Sequence, residues 1–187
     1  MKGVVFNLLE EAVVRRHGDT AWDDILEAAN LQGAYTSLGS YPDAEIVKLV
    51  EAGASALGQA PNEVLRWFGR DAMALLAKQY PQFFDAHRSA LPFILSVNGI
   101  IHPEVRKLYA GAGCPFFHFS ENSDGSVLMG YESPRRMCAL AHGFIEGAAD
   151  YYNEIATVEQ PECMHRGDRK CVLKFRIDGA GHDLRLH

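Results

Sequence analysis

The run Gly111-Ala112-Gly113-Cys114-Pro115 divides this chain into two stretches with different hydrophobic periods, and so sets its fold class. Upstream, apolar residues recur every three or four positions. Val4, Val5, Leu8, Leu9, Ala12 and Val13 predict a first helix ending at His17-Gly18. Asp19-Thr20 predicts the cap of a second helix carrying Trp22, Ile25 and Leu26, and Tyr35–Pro42 reads as a loop or short extended segment. Asp43 opens a third helix with Ile46, Val47, Leu49 and Val50, closed by Gly58. Pro61 begins a fourth that reaches Tyr80-Pro81. From Leu91 to Tyr109 the pattern is again helical, bent or broken near Gly99 and Pro103.

Downstream, Phe116–Phe119 and Val127–Met129 flank Asn122-Ser123-Asp124-Gly125, a hairpin signal. Met137, Leu140, Ala141, Phe144, Ile145 and Ala148 then form one stripe of a long helix. Two further strands are expected over 155–162 and 171–177. Helices first, then hairpin, helix and hairpin, give an α+β fold: a mainly helical N-terminal half, then an antiparallel sheet with a long helix. The 187 residues suit a single domain, expected over 1–178, with 179–187 a flexible tail.

A net charge of −6 excludes the basic footprint of a nucleic-acid-binding protein. No apolar run approaches the roughly 20 residues of a membrane span. Glu10 and Glu11 interrupt the apolar N-terminus, so it makes a poor signal peptide and cytoplasmic residence is expected. In that compartment four cysteines are free, metal-bound or redox-active rather than structural disulfides.

Two features carry chemistry. Tyr131-Glu132-Ser133-Pro134-Arg135 ends a strand and opens a helix, so Tyr131 and Ser133 share a face. Ser133-Pro134 reads as a cap and first helical residue, which puts Arg135 and Arg136 in the first turn, where the macrodipole disfavours cations. Hydroxyl, phenol and guanidinium together suit a carboxylate ligand, although an arginine paired with a protein carboxylate is the bland alternative. His102 follows Ile100-Ile101 in a strongly apolar segment. It is either a core histidine or one axial ligand for a haem iron in an apolar pocket.

Met1-Lys2-Gly3, the lone His102, Pro115 just before the hairpin, and Tyr-x-Ser-x-Arg before a long helix resemble the haem nitric oxide/oxygen-binding (H-NOX) domain, also the haem region of soluble guanylate cyclases. The likeness spans residues 1 to about 178. It implies that the fold encloses haem b, with a distal part over about 1–60 and a haem-ligating part over about 61–178. It implies His102 as proximal iron ligand, Tyr131, Ser133 and Arg135 on the propionates, and Pro115 pressing on the porphyrin. With no cyclase domain following, it also implies a stand-alone sensor acting on a separate histidine kinase or cyclic-di-GMP enzyme.

Oxygen-binding members carry a tyrosine where this chain has Leu140, and the other distal positions by register, Val5, Leu9 and Ala74, also lack a donor. Nitric oxide binding, with carbon monoxide but little stable oxygen, is therefore expected. Some relatives hold zinc through three cysteines and a histidine. Here Cys138, Cys163 and Cys171 match, but Gln160 stands at the histidine's place, leaving His165 or His142 as substitutes. Cys138 falls off the apolar stripe of its helix. Without zinc the thiols could form a disulfide, which makes a zinc/thiol redox sensor the rival function. A haem peroxidase is disfavoured, because the inferred distal side offers no acid–base residue.

Overall fold

The computed structural model describes residues 1–179; the expected tail beyond Gly179 lies outside the described residues. Four long helices come first: α1 (Gly3–His17), α2 (Asp19–Ala29), α3 (Asp43–Leu57) and α4 (Pro61–Gln79). Arg15, Arg16 and His17 sit in the last turn of α1, where the dipole favours cations. Gly18, at φ +89°, ends α1 and also caps α2. Asp19 is therefore the first helical residue rather than the cap, and its carboxylate acts on the dipole instead. Pro61 occupies the first turn of α4, and the Glu63 carboxylate accepts the Ala60 N–H at 3.0 Å. The Tyr35–Pro42 loop folds back on α1: Lys2 bridges Ser40, and Tyr35 stacks on Phe6 with ring centroids 4.1 Å apart.

A short helix, α5 (Pro81–Asp85), precedes the segment expected to bend. That segment forms three pieces: α6 (Ala90–Leu95), a π-turn (Val97–Ile101) and α7 (His102–Leu108). The π-turn and α7 contain no fully buried residue.

The C-terminal half holds β1 (Phe117–Glu121), β2 (Val127–Tyr131), α8 (Cys138–Tyr151), β3 (Glu154–Glu162) and β4 (Cys171–Gly179). The sheet is antiparallel in the order β1-β2-β4-β3. Val127, Met129 and Tyr131 of β2 lie beside Phe175, Leu173 and Cys171 of β4. All six are buried, so this period-two face is the sheet's contribution to the core.

Helices α4 and α8 touch backbone to backbone. A Cβ at Gly143 would lie 2.0 Å from the Arg66 carbonyl oxygen, and one at Gly69 would lie 2.4 Å from that of Leu140. Only glycine permits this approach. Arg66–Glu146 and Arg70–Asp150 ion pairs flank the contact. Because α8 lies between α4 and the sheet, it is buried nearly all round. Cys138 is consequently buried although it lies off the apolar stripe.

Candidate functional site

A cavity of about 330 Å³ lies among these elements. One wall comes from α1, α4 and α8, through Val5, Leu8, Met73, Leu140 and Phe144. Another comes from α6, the π-turn, α7 and β1, and includes Ile101, His102, Val105 and Phe117. Tyr131, Ser133 and Arg135 also line it, as does Pro115. The structure thus brings His102 and the Tyr-x-Ser-x-Arg residues to one chamber.

Two of the expected distal residues are corrected by one helical position. Leu9 is packed in the core of the N-terminal helices and Ala74 is exposed, so neither lines the cavity. Leu8 and Met73 do. One residue is 100° on a helix, enough to exchange a cavity-facing side chain for one facing elsewhere. Val5 and Leu140 line the cavity as expected.

His102 is half-buried, with its ring 5.8 Å from that of Phe117. Its Nδ1 is buried without a hydrogen bond. Burial pulls the imidazole pKa down to about 4; Arg106 adds to this and the Pro115 carbonyl opposes it. The ring is therefore neutral near pH 7, the form that can ligate a metal.

The loop at 131–137 departs from the expected capped helix. Helix α8 begins at Cys138 with Met137 as its cap, so Ser133 is not the N-cap and neither arginine lies in the first helical turn. Residues 133–136 instead form a turn. Ser133 Oγ accepts the Arg135 N–H at 3.3 Å, the Ser133 carbonyl accepts the Arg136 N–H at 3.0 Å, and Arg136 has φ +52°. The Tyr131 hydroxyl accepts the Met137 N–H at 3.1 Å, which fixes the turn and leaves its own proton to donate. Ser133 likewise keeps its hydroxyl proton.

Arg135 does have a protein carboxylate: its Nε donates to Asp43 at 2.8 Å and its Nη1 to the Gly113 carbonyl at 2.5 Å. Asp43 also takes the N-terminal ammonium of Met1 at 2.6 Å. Burial would raise the Asp43 pKa, but these two cations outweigh it and hold the carboxyl below its usual range. Among the described residues Arg135 Nη2 has no partner, so three donors remain: Tyr131 Oη–H, Ser133 Oγ–H and Arg135 Nη2. The bland pairing and the ligand site coexist on one guanidinium.

A second cluster lies beside the first. The Sγ atoms of Cys138, Cys163 and Cys171 are all within 4.8 Å of one another, and Cys138 and Cys163 are 3.8 Å apart. All three are buried and free. Burial pushes Cys171 up to about 12 and raises Cys138. Burial acts on Cys163 too, but the backbone N–H of His165 and the neighbouring thiols outweigh it, so its thiol is the most acidic of the trio. Gln160 lies beside the Cys138 thiol and lowers its pKa against burial, while its own Nε2 is buried without a hydrogen bond. Neither substitute histidine joins the cluster: His165 Nε2 bonds the Arg136 carbonyl at 2.7 Å, and His142 lies 3.6 Å from Glu146. Three sulfurs fit a metal, but a histidine fourth ligand is lacking among the described residues.

The residues around the cavity fit haem. They supply an apolar chamber, one neutral imidazole with an unpaired buried nitrogen, and three spare donors for two carboxylates. The sequence model of the Haem-NO-binding family matches residues 2–160. The chain belongs to the Haem-NO-binding (H-NOX) family. Its fold also matches an H-NOX protein from S. oneidensis solved in the Fe(II)NO ligation state, at a TM-score of 0.89 and 29% identity, covering 96% of this chain and 100% of that one. A Shewanella oneidensis H-NOX domain in the Fe(II)CO state matches at a TM-score of 0.85 and 29% identity, with 95% and 99% coverage. An unliganded Fe(II) H-NOX protein mutant from K. algicida matches at 0.83 and 25% identity, over 98% of both chains. H-NOX domains are haem-based gas sensors. Among the described residues, no helix of this H-NOX chain is long and apolar enough to cross a membrane.

Sequence reasoning misses several site residues. Asp43 reads in the sequence only as a helix start, yet it joins the N-terminus to Arg135 across 92 positions. Tyr80 and Tyr109 both line the cavity, and their hydroxyls bond to each other. Both phenols end helices, the one signal that could have marked them.

Proposed function

We propose that this H-NOX chain holds haem b through His102 and senses nitric oxide, with carbon monoxide as a second ligand and little stable oxygen binding. The carrying observation is the shared chamber of the neutral His102 imidazole and the spare donors of Tyr131, Ser133 and Arg135. When bound, haem would supply a ferrous iron that takes a diatomic gas, with the His102 imidazole as the chain's own ligand to it.

The chain's own residues set the rest. Tyr131, Ser133 and Arg135 orient the group by its carboxylates, and Pro115 sits in the lining where it can press on the macrocycle. The wall from α1, α4 and α8 presents only apolar side chains at Val5, Leu8, Met73, Leu140 and Phe144. A ligand that gathers negative charge, as oxygen does, finds no side-chain donor among these five, and the Tyr80 and Tyr109 hydroxyls that also line the cavity bond to each other. Freeing His102 would let the π-turn and α7 shift, and a partner protein that prefers one arrangement would read the change. A histidine kinase or cyclic-di-GMP enzyme acting in trans fits that role, and the whole assembly would work in the cytoplasm. Purified wild type should carry a Soret band that His102→Ala shifts or abolishes. An unchanged spectrum in that variant would remove His102 from the site.

A second reading rests on the buried thiol trio. Tyr131 pairs with Cys171 in the sheet register, and Met137, whose N–H holds Tyr131, precedes Cys138. Zinc or a disulfide there would adjoin the carboxylate clamp. Metal analysis with thiol titration tests it: one zinc per chain, or loss of two thiols on oxidation, supports this reading.

A further inference from the structure

Asn98 lies in the π-turn, four residues before His102. Its side-chain amide makes two hydrogen bonds with the backbone of one residue. Nδ2 donates to the Phe117 carbonyl at 2.6 Å, and the Phe117 N–H donates to Oδ1 at 3.1 Å. The amide therefore meets Phe117 as a neighbouring strand would. Phe117 opens β1, the edge strand, opposite Tyr131 of β2. With both backbone groups turned to Asn98, it occupies a position that exchanges no hydrogen bonds with β2.

The tether joins two parts of one chamber. Phe117 stands two residues after Pro115, and its ring lies beside that of His102. Among the described residues, these are the hydrogen bonds between the π-turn and β1. Val97, Ile101, His102 and Val105 face the cavity, so the π-turn and α7 pack toward what fills it rather than into the core. π-turns are uncommon and frequent at functional sites.

We propose that Asn98 is a positioning residue for His102, holding the histidine-bearing segment against the Pro115–Phe117 strand, and that this bond pair must open before the segment moves. The inference rests on the reading of His102 as the iron ligand. Asn98 touches neither ligand nor iron; it acts through the place it gives the imidazole.

The test uses the haem-loaded wild type, Asn98→Ala and Asn98→Leu. Leucine keeps the size and branching of the side chain but offers the Phe117 backbone neither donor nor acceptor, so both bonds of the pair are lost. Hydrogen exchange of the Phe117 amide should speed up roughly tenfold in both variants, the factor set by one or two hydrogen bonds. The iron–histidine stretching band should shift, and nitric oxide should displace His102 roughly tenfold faster, for the same reason. Faster Phe117 exchange with an unchanged band and displacement rate would overturn the proposal, leaving Asn98 as a cap on a strand edge. Absence of any iron–histidine band in the wild type would instead overturn the reading of His102, and this inference with it. If Asn98→Ala fails to hold haem, Asn98→Leu carries the same comparison.

Discussion

The two walls of the cavity are built to different standards. Helix α8 buries eight of its residues and meets α4 through glycines that leave no room for a methyl group. The stretch from Val97 to Leu108, which carries His102, changes from π to α geometry at that histidine, and a Cβ at its Gly99 would meet nothing within 4 Å. Close-packed interfaces resist small displacements, whereas a segment that packs against the cavity can move with what fills it. A sensor needs both: a wall that fixes the ligand pocket and a wall that can report what enters it.

Substitutions that attack each wall should separate them. Gly143→Ala drives a Cβ into the Arg66 carbonyl and should have the largest effect. About 3 kcal/mol of stability is expected to go, or roughly 10 °C in Tm for a domain of this size, read by thermal unfolding. Leu140→Tyr leaves the packing of the walls in place and adds one donor to the apolar side. It should raise oxygen affinity roughly tenfold or more, and failure to show an oxygenated spectrum would break the polarity account. Asp43→Asn removes the carboxylate shared by Met1 and Arg135; because Asp43 is 43% exposed, about 1 kcal/mol or less is expected. The sign of its pH dependence follows from its lowered pKa. The carboxylate's contribution is present above the usual aspartate range near 4 and is lost as pH falls through the lower folded value, so wild type should lose more stability than Asp43→Asn below about pH 4. Ile100→Ser, on the wall that carries His102 and at a position 53% exposed, should change stability by less than about 0.5 kcal/mol.

The same contrast governs what can be read from the sequence. Helices α1, α3 and α4 are legible because proline, acidic first turns and glycine stops are local signals. The hairpin is legible from its turn, and the break near Gly99 and Pro103 from its breakers. His102 and Tyr-x-Ser-x-Arg are legible as types, and their meeting in one cavity needs the fold. The turn at Ser133–Arg136 reads as a capped helix in the sequence, but Arg136 takes a positive φ and the Met137 N–H bonds the Tyr131 hydroxyl, neither of which a local pattern announces. Leu9 and Ala74 are off by one position because family register gives a helix position but not its phase against a cavity. Cys138 looks exposed on a one-stripe helix, and only the sandwiching of α8 between α4 and the sheet buries it.

The most direct test of a fixed wall facing a movable one is a residue-resolved hydrogen-exchange comparison of the ferrous haem-bound protein with and without nitric oxide. The account predicts faster exchange confined to the π-turn, α7 and Phe117, with α1, α4 and α8 unchanged. Faster exchange in α4 or α8 while the His102 segment stays protected would contradict it.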